Sequence, residues 1–237
     1  MMKTSVQRKP QSSSRRNFLR EASLSGAGVV TFAGLLSGTS LALAGGKGEG
    51  KAWPDLDQAL GPMEAAVERF MWLPRKEGRL LNALVRLARA KNVLQVGGSV
   101  GFASLWLAAA LAETRGKLTT IEILPERVEL ARKHLVAVGL GQRVTCLTGN
   151  AHKVVPTLKG AFDFVLLDAD KTGHVDYFQK LHPAKLAEHA LILANNAAQP
   201  GEGMKAYLQL LMAHPEYDSV VVSATLEDGY CLSVRNP

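Results

Sequence analysis

The residues best suited to chemistry fall at the ends of short apolar runs. The first run, ending at Val96, passes into Gly97-Gly98-Ser99-Val100-Gly101, and an apolar helical stretch from Phe102 to Leu111 follows at once. Glycines there permit a tight turn and close backbone approach to a ligand, and the helix start offers N–H groups without partners. The same turn also suits ordinary chain reversal. Glu122, 25 positions after Gly97, ends the second run, where a carboxylate can accept both hydroxyls of a ribose; the alternative is a solvated strand end. Gly149-Asn150-Ala151 follows the third run, in the loop that would flank an adenine, although its asparagine equally fits a plain turn. Together these predict a nucleoside-type cofactor site built from Gly97, Ser99, Gly101, Glu122, Asn150 and Ala151. After the fourth run comes Asp168-Ala169-Asp170-Lys171, either working residues or a helix N-cap beside an exposed amine.

The elements that must position these residues alternate between helix and strand. Two helical stretches come first, about 55–72 and 76–90, separated by Pro74 as a breaker. Strands are predicted at 92–96, 117–123, 143–147, 162–167 and 190–194, mostly with helix-length segments between them, which is the pattern of βαβ units feeding a parallel sheet. The tail differs. Residues 219–223 and 230–234 read as two strands joined by a Glu227-Asp228-Gly229 turn, hence an antiparallel hairpin. That ending argues against an ordinary dinucleotide-binding oxidoreductase.

These residues resemble the catechol and caffeoyl-CoA O-methyltransferase family, in particular its small bacterial members. The likeness runs through Glu77-Gly78-Arg79-Leu80-Leu81, Val93-Leu94-Gln95-Val96-Gly97, Thr119-Thr120-Ile121-Glu122-Ile123, Pro125-Glu126-Arg127 and Phe162 to Lys171, and covers about Met71 to the C-terminus. The resemblance implies an α/β, Rossmann-like class I methyltransferase sandwich with a seven-stranded, mostly parallel sheet in the order 3-2-1-4-5-7-6. It implies S-adenosylmethionine as cofactor and a small hydroxylated, catechol-like molecule as acceptor. Asp168 would touch the cofactor and bind a divalent cation, usually magnesium, and Lys171 would act as general base. The cation would chelate two vicinal oxygens and aim one at the methyl carbon.

Departures from the family cluster at these positions. Asn195-Asn196 stands where the family has Asp-Asn as further metal ligands, and losing one carboxylate weakens a hard-cation site. Gln95 replaces a glutamate near the cofactor's amino group, and Ala103 a serine that would bond its carboxylate. His174 replaces a tyrosine, and Glu188-His189 a glycine pair. The new histidine raises the question of whether His152 or His174 serves as base or metal ligand. Trp53 and Trp72 lie in a segment that in the family helps cover the acceptor pocket and build a homodimer; simple helix packing accounts for them as well.

Net charge is +7, yet the first 44 residues hold six of the 28 basic and one of the 21 acidic side chains, leaving 22 against 20. The basic character is therefore local, and no nucleic-acid surface is implied. Arg15-Arg16-Asn17-Phe18-Leu19 precedes an uncharged stretch, Leu24 to Ala44, that ends in Ala42-Leu43-Ala44, the order of a twin-arginine secretory leader. The expected organisation is a signal peptide over 1–44, met by the twin-arginine export machinery, a linker over 45–54 and a methyltransferase domain over 55–237. Without cleavage the uncharged stretch would act as a membrane anchor. A competing functional reading is an exported binding protein that keeps the fold and has lost the chemistry. Cys146 and Cys231 fall five strand spacings apart in the implied sheet order, roughly 24 Å and too far for a disulfide.

Overall fold

The computed structural model describes residues 56–65, 73–223 and 228–237. The proposed leader and linker, Trp53 and Trp72 lie outside them. Helix α1 (Leu56–Ala65) is followed by α2 (Arg75–Leu87), shorter than expected because Arg89 turns left-handed at φ 51° and the Ala90 N–H reaches back to the Val85 carbonyl. Then come β1 (Asn92–Val96), α3 (Phe102–Thr114), β2 (Lys117–Glu122), α4 (Pro125–Ala137), β3 (Val144–Thr148), α5 (Ala151–Val154), β4 (Phe162–Leu167), α6 (His174–Leu181), β5 (Leu186–Asn195), α7 (Glu202–Met212), β6 (Tyr217–Val222) and β7 (Tyr230–Arg235).

The sheet order is β3-β2-β1-β4-β5-β7-β6, parallel except for β7, which runs antiparallel to both β5 and β6. This is the order the family resemblance implies. Two boundaries move. Strand β5 begins four residues early, at Leu186, and shifts register against β4 between Phe162 and Phe164, close to His189 with its φ of 59°. Strand β6 begins at Tyr217 rather than 219. Cys146 on β3 and Cys231 on β7 are both free and buried, as their strand positions require.

Each face of the sheet buries its own apolar layer. Val93, Phe164, Leu166 and Leu193 pack beneath α1 to α4, whereas Leu94, Val165, Leu167 and Ile192 pack beneath α5 to α7. Helix α3 is apolar all round, and nine of its residues are buried. It meets α2 at Gly78, where a Cβ would fall 2.2 Å from the Trp106 ring. The consequence for function lies at one edge. Gly97, Glu122, Asp168 and Asn195 all stand at the carboxyl ends of parallel strands, on the side where open α/β sheets bind ligands.

Candidate active site

Strands β1 and β4 pass so closely that only glycine fits at position 97. Its φ is 94°, a Cβ there would meet the Asp168 carbonyl oxygen at 2.2 Å, and the Asp168 N–H donates to the Val96 carbonyl at 2.8 Å. The N–H groups of Gly97 and Gly98 both donate to the Ile121 carbonyl, at 2.9 and 3.0 Å. Ser99 is left-handed at φ 44°, and its buried hydroxyl has no partner among the described residues. Glu122 ties the turn to β2: Oε2 accepts the Ser99 N–H at 2.8 Å and Oε1 the Leu124 N–H at 3.1 Å. Each carboxylate oxygen keeps acceptor capacity for a second donor. Asn150 caps α5, its side chain accepting the His152 N–H at 2.9 Å. Gly97, Ser99, Glu122, Asn150 and Ala151 line one cleft of about 1120 Å³. A glycine cradle, a hydroxyl without a partner and a strand-end carboxylate suit a nucleoside with a polar tail.

Asp168, Lys171, Asn195 and Asn196 line the same cleft. One oxygen of Asp168, Oδ1, accepts from Lys171 Nζ at 3.3 Å and from Asn195 Nδ2 at 3.0 Å. Burial pushes the Asp168 carboxyl above its usual range, against the pull of Lys171 and Asn195. Asn195 is itself buried and accepts the Asn196 N–H on its side-chain oxygen at 2.8 Å. It therefore turns its NH₂ toward Asp168. A hard dication needs oxygens at that point, and the donor set does not fit one. Among the described residues no group of three or more His, Cys, Asp or Glu side chains is arranged to hold a metal.

A family model described as O-methyltransferase matches residues 63–205. The chain belongs to this family. It is 30% identical over 190 residues to a catechol O-methyltransferase of Mycobacterium tuberculosis, covering 75% of this chain and 85% of that one. It is also 30% identical over 176 residues to one from Niastella koreensis, covering 67% and 79%. Among solved structures, the O-methyltransferase of tomaymycin synthesis from Streptomyces achromogenes, in complex with SAM, superposes with a TM-score of 0.70 at 25% identity over 76% of this chain and 91% of its own. An O-methyltransferase from Bacillus cereus in complex with SAH shares the fold, with a TM-score of 0.69 at 23% identity over 76% and 90%.

In this O-methyltransferase three residues expected at the cofactor lie off the cleft. Gln95 belongs to the face of β1 that looks toward α3, where Oε1 accepts the Ser104 hydroxyl at 2.6 Å and Nε2 donates to the Gly97 carbonyl at 3.0 Å. It braces the glycine turn from behind, and its hydrogen-bonding groups are taken. Gly101, at φ 93°, lets α3 pack on α4, because a Cβ there would fall 3.0 Å from the Ala131 Cβ, while Ala103 is buried within α3.

The histidines separate. His174 is fully buried and off the cleft; its Nδ1–H donates to the Asp170 carbonyl at 3.0 Å, its ring meets Tyr207 edge-on, and burial pulls its pKa down to about 4. The expectation of a base or metal ligand there gives way to a neutral core residue. His152 does line the cleft. It stacks on Tyr177 and donates through Nδ1–H to Asp176 at 2.5 Å, while Tyr177 donates its hydroxyl to Asp170 at 2.5 Å. Burial raises the Asp170 carboxyl, but Tyr177 and His152 outweigh it and hold it below the usual range. This brace fixes the loop that carries Lys171, and the chain's local pattern held no sign of it. Sequence reading also passed over Asp228, which lines the cleft, and the buried pair in which Tyr230 donates to Glu77 at 2.8 Å. Burial raises the Glu77 carboxyl, and Asp228 and Asp168 add to the effect against the Tyr230 bond.

Proposed function

We propose that this chain moves the methyl group of S-adenosylmethionine to a hydroxyl of a small, catechol-like acceptor. The observation that carries the reading is the convergence of the Gly97 turn, Glu122 and the Asp168–Lys171 pair on one cleft at the strand ends. S-adenosylmethionine, when bound, supplies an electrophilic methyl group on a sulfonium. Glu122 holds the ribose hydroxyls, Ser99 and the glycine turn meet the polar tail, and Asn150 and Ala151 flank the adenine. Lys171, oriented by its bond to Asp168, takes the proton from the acceptor hydroxyl. The reading leaves out a divalent cation, because Asn195 turns a donor, not an oxygen, toward Asp168. A binding protein without chemistry gains no support from a site in which the Asp168–Lys171 pair is intact. For residues 1–44 we infer a twin-arginine leader, so that the enzyme acts after folded export.

The test is methyl transfer from S-adenosylmethionine to catechol by the purified chain, with cofactor binding measured in parallel. Lys171→Met is expected to bind the cofactor as the wild type does and to lose about 100-fold or more in kcat, the lower range for removing a general base. Wild-type turnover by that variant would exclude Lys171 as the base.

A further inference from the structure

We propose that this enzyme transfers its methyl group without a divalent cation and so acts on a single hydroxyl, with no need for a vicinal second oxygen. The proposal rests on the methyltransferase reading above. Its ground is the direction of one buried amide. Asn195 is 5% exposed and held at both ends, its Nδ2 donating to Asp168 Oδ1 at 3.0 Å and its oxygen accepting the Asn196 N–H at 2.8 Å. Turning the amide over would set NH₂ against N–H and oxygen against carboxylate, two repulsions in place of two bonds. The side chain where the family keeps an anionic oxygen therefore presents a donor. Lys171 Nζ occupies the same Asp168 oxygen from the other side at 3.3 Å. Of the three positions that hold the cation in the family, Asp168, Asn195 and Asn196, what is left is the second oxygen of Asp168 and the side-chain oxygen of Asn196, with one negative charge where the family has two. Asp228 also lines the cleft, but Asn195 still turns a donor toward the point where a hard dication needs an oxygen.

The chemical consequence concerns the acceptor. A chelated cation binds two neighbouring oxygens at once and lowers their pKa, which makes a vicinal diol obligatory. In this cleft the proton has another destination. Lys171, the base of the proposed reaction, is held beside the cleft by the N–H it donates to Asp168. The acceptor oxygen forms the new C–O bond, the methyl–sulfur bond breaks with its electrons staying on sulfur, and the hydroxyl proton passes to Lys171 Nζ. One hydroxyl is enough for that step.

The experiment titrates the full chain with Mn²⁺, read by electron paramagnetic resonance, and compares wild type with Asn195→Asp. Wild type is expected to leave Mn²⁺ free at concentrations up to about 1 mM, and Asn195→Asp, which restores the missing carboxylate, to bind it at least about tenfold more tightly. In a second arm, excess EDTA should change the wild-type rate by less than about twofold, and phenol and catechol should be methylated with kcat/KM values within about tenfold of each other. Wild-type Mn²⁺ binding as tight as that of Asn195→Asp, loss of turnover in EDTA, or turnover of catechol alone would each overturn the proposal. Titration with S-adenosylmethionine separates the two readings: absence of cofactor binding defeats the methyltransferase assignment, whereas the Mn²⁺ result bears on the amide whether or not the cofactor binds.

Discussion

Removing the Glu122 carboxylate should strip affinity for S-adenosylmethionine with only modest harm to the fold. In the free protein this carboxylate accepts two backbone N–H groups, from Ser99 at 2.8 Å and Leu124 at 3.1 Å. Both lie beside the open cleft, so in Glu122→Ala water takes over part of the lost acceptance and the cost to the fold is about 1–3 kcal/mol. For a domain of this size each kcal/mol corresponds to a fall in Tm of about 2–4 °C. Binding suffers more. Hydrogen bonds to a charged group contribute about 1.5–3 kcal/mol each, and two ribose hydroxyls lost together cost about 3 kcal/mol at the lower bound, or about 100-fold in Kd. Glu122→Gln should fall between, because its amide oxygen satisfies one N–H while its NH₂ confronts the other. Calorimetric titration with S-adenosylmethionine, paired with thermal unfolding, measures both quantities. A cofactor analogue lacking the 2′-hydroxyl should bind more weakly than S-adenosylmethionine to the wild type and equally to Glu122→Ala. If the folded Glu122→Ala variant kept a Kd within about threefold of wild type, the ribose assignment would be wrong.

Gly97→Ala should destabilise the domain by about 2–4 kcal/mol, since it places a Cβ 2.2 Å from the Asp168 carbonyl at a φ of 94°; urea unfolding measures the loss, and a change below about 0.5 kcal/mol would contradict the close crossing. His174 has its pKa lowered from 6.5 to about 4 by burial, so the unfolded chain binds its proton at a pH where the folded chain does not. The stability tied to this residue is complete above pH 6.5 and is lost as pH falls toward 4, a change of about 3 kcal/mol. Unfolding free energies across that window should rise more steeply with pH in the wild type than in His174→Phe, which keeps the raised Asp168 and Glu77 carboxyls acting in the opposite sense; identical slopes would mean that another group is responsible. Export of a folded reporter fused to residues 1–50 should cease in Arg15→Lys/Arg16→Lys; continued export would refute the twin-arginine route.

Much of the site was legible because a parallel sheet places the last residue of every strand along one edge. Gly97, Glu122 and Asp168 stand at the ends of the first, second and fourth apolar runs, so finding the ends of the runs located the cleft. The antiparallel ending was legible from the two short strand patterns of the tail, and the sheet order from the family likeness. Local pattern fails where the outcome depends on what lies across the fold. Gln95 stands two residues from the cleft wall at Gly97 in sequence, yet β1 turns it toward Ser104 instead. His174 reads like any loop histidine until α7 brings Tyr207 against it and shuts out water. Tyr230 and Glu77 are 153 positions apart and share a hydrogen bond only because β7 inserts between β5 and β6. The sequence shows that Asn195 is an amide where a carboxylate was expected. Which end of that amide faces Asp168 is decided by the Asn196 N–H behind it, a matter of three-dimensional hydrogen bonding that composition and spacing do not encode.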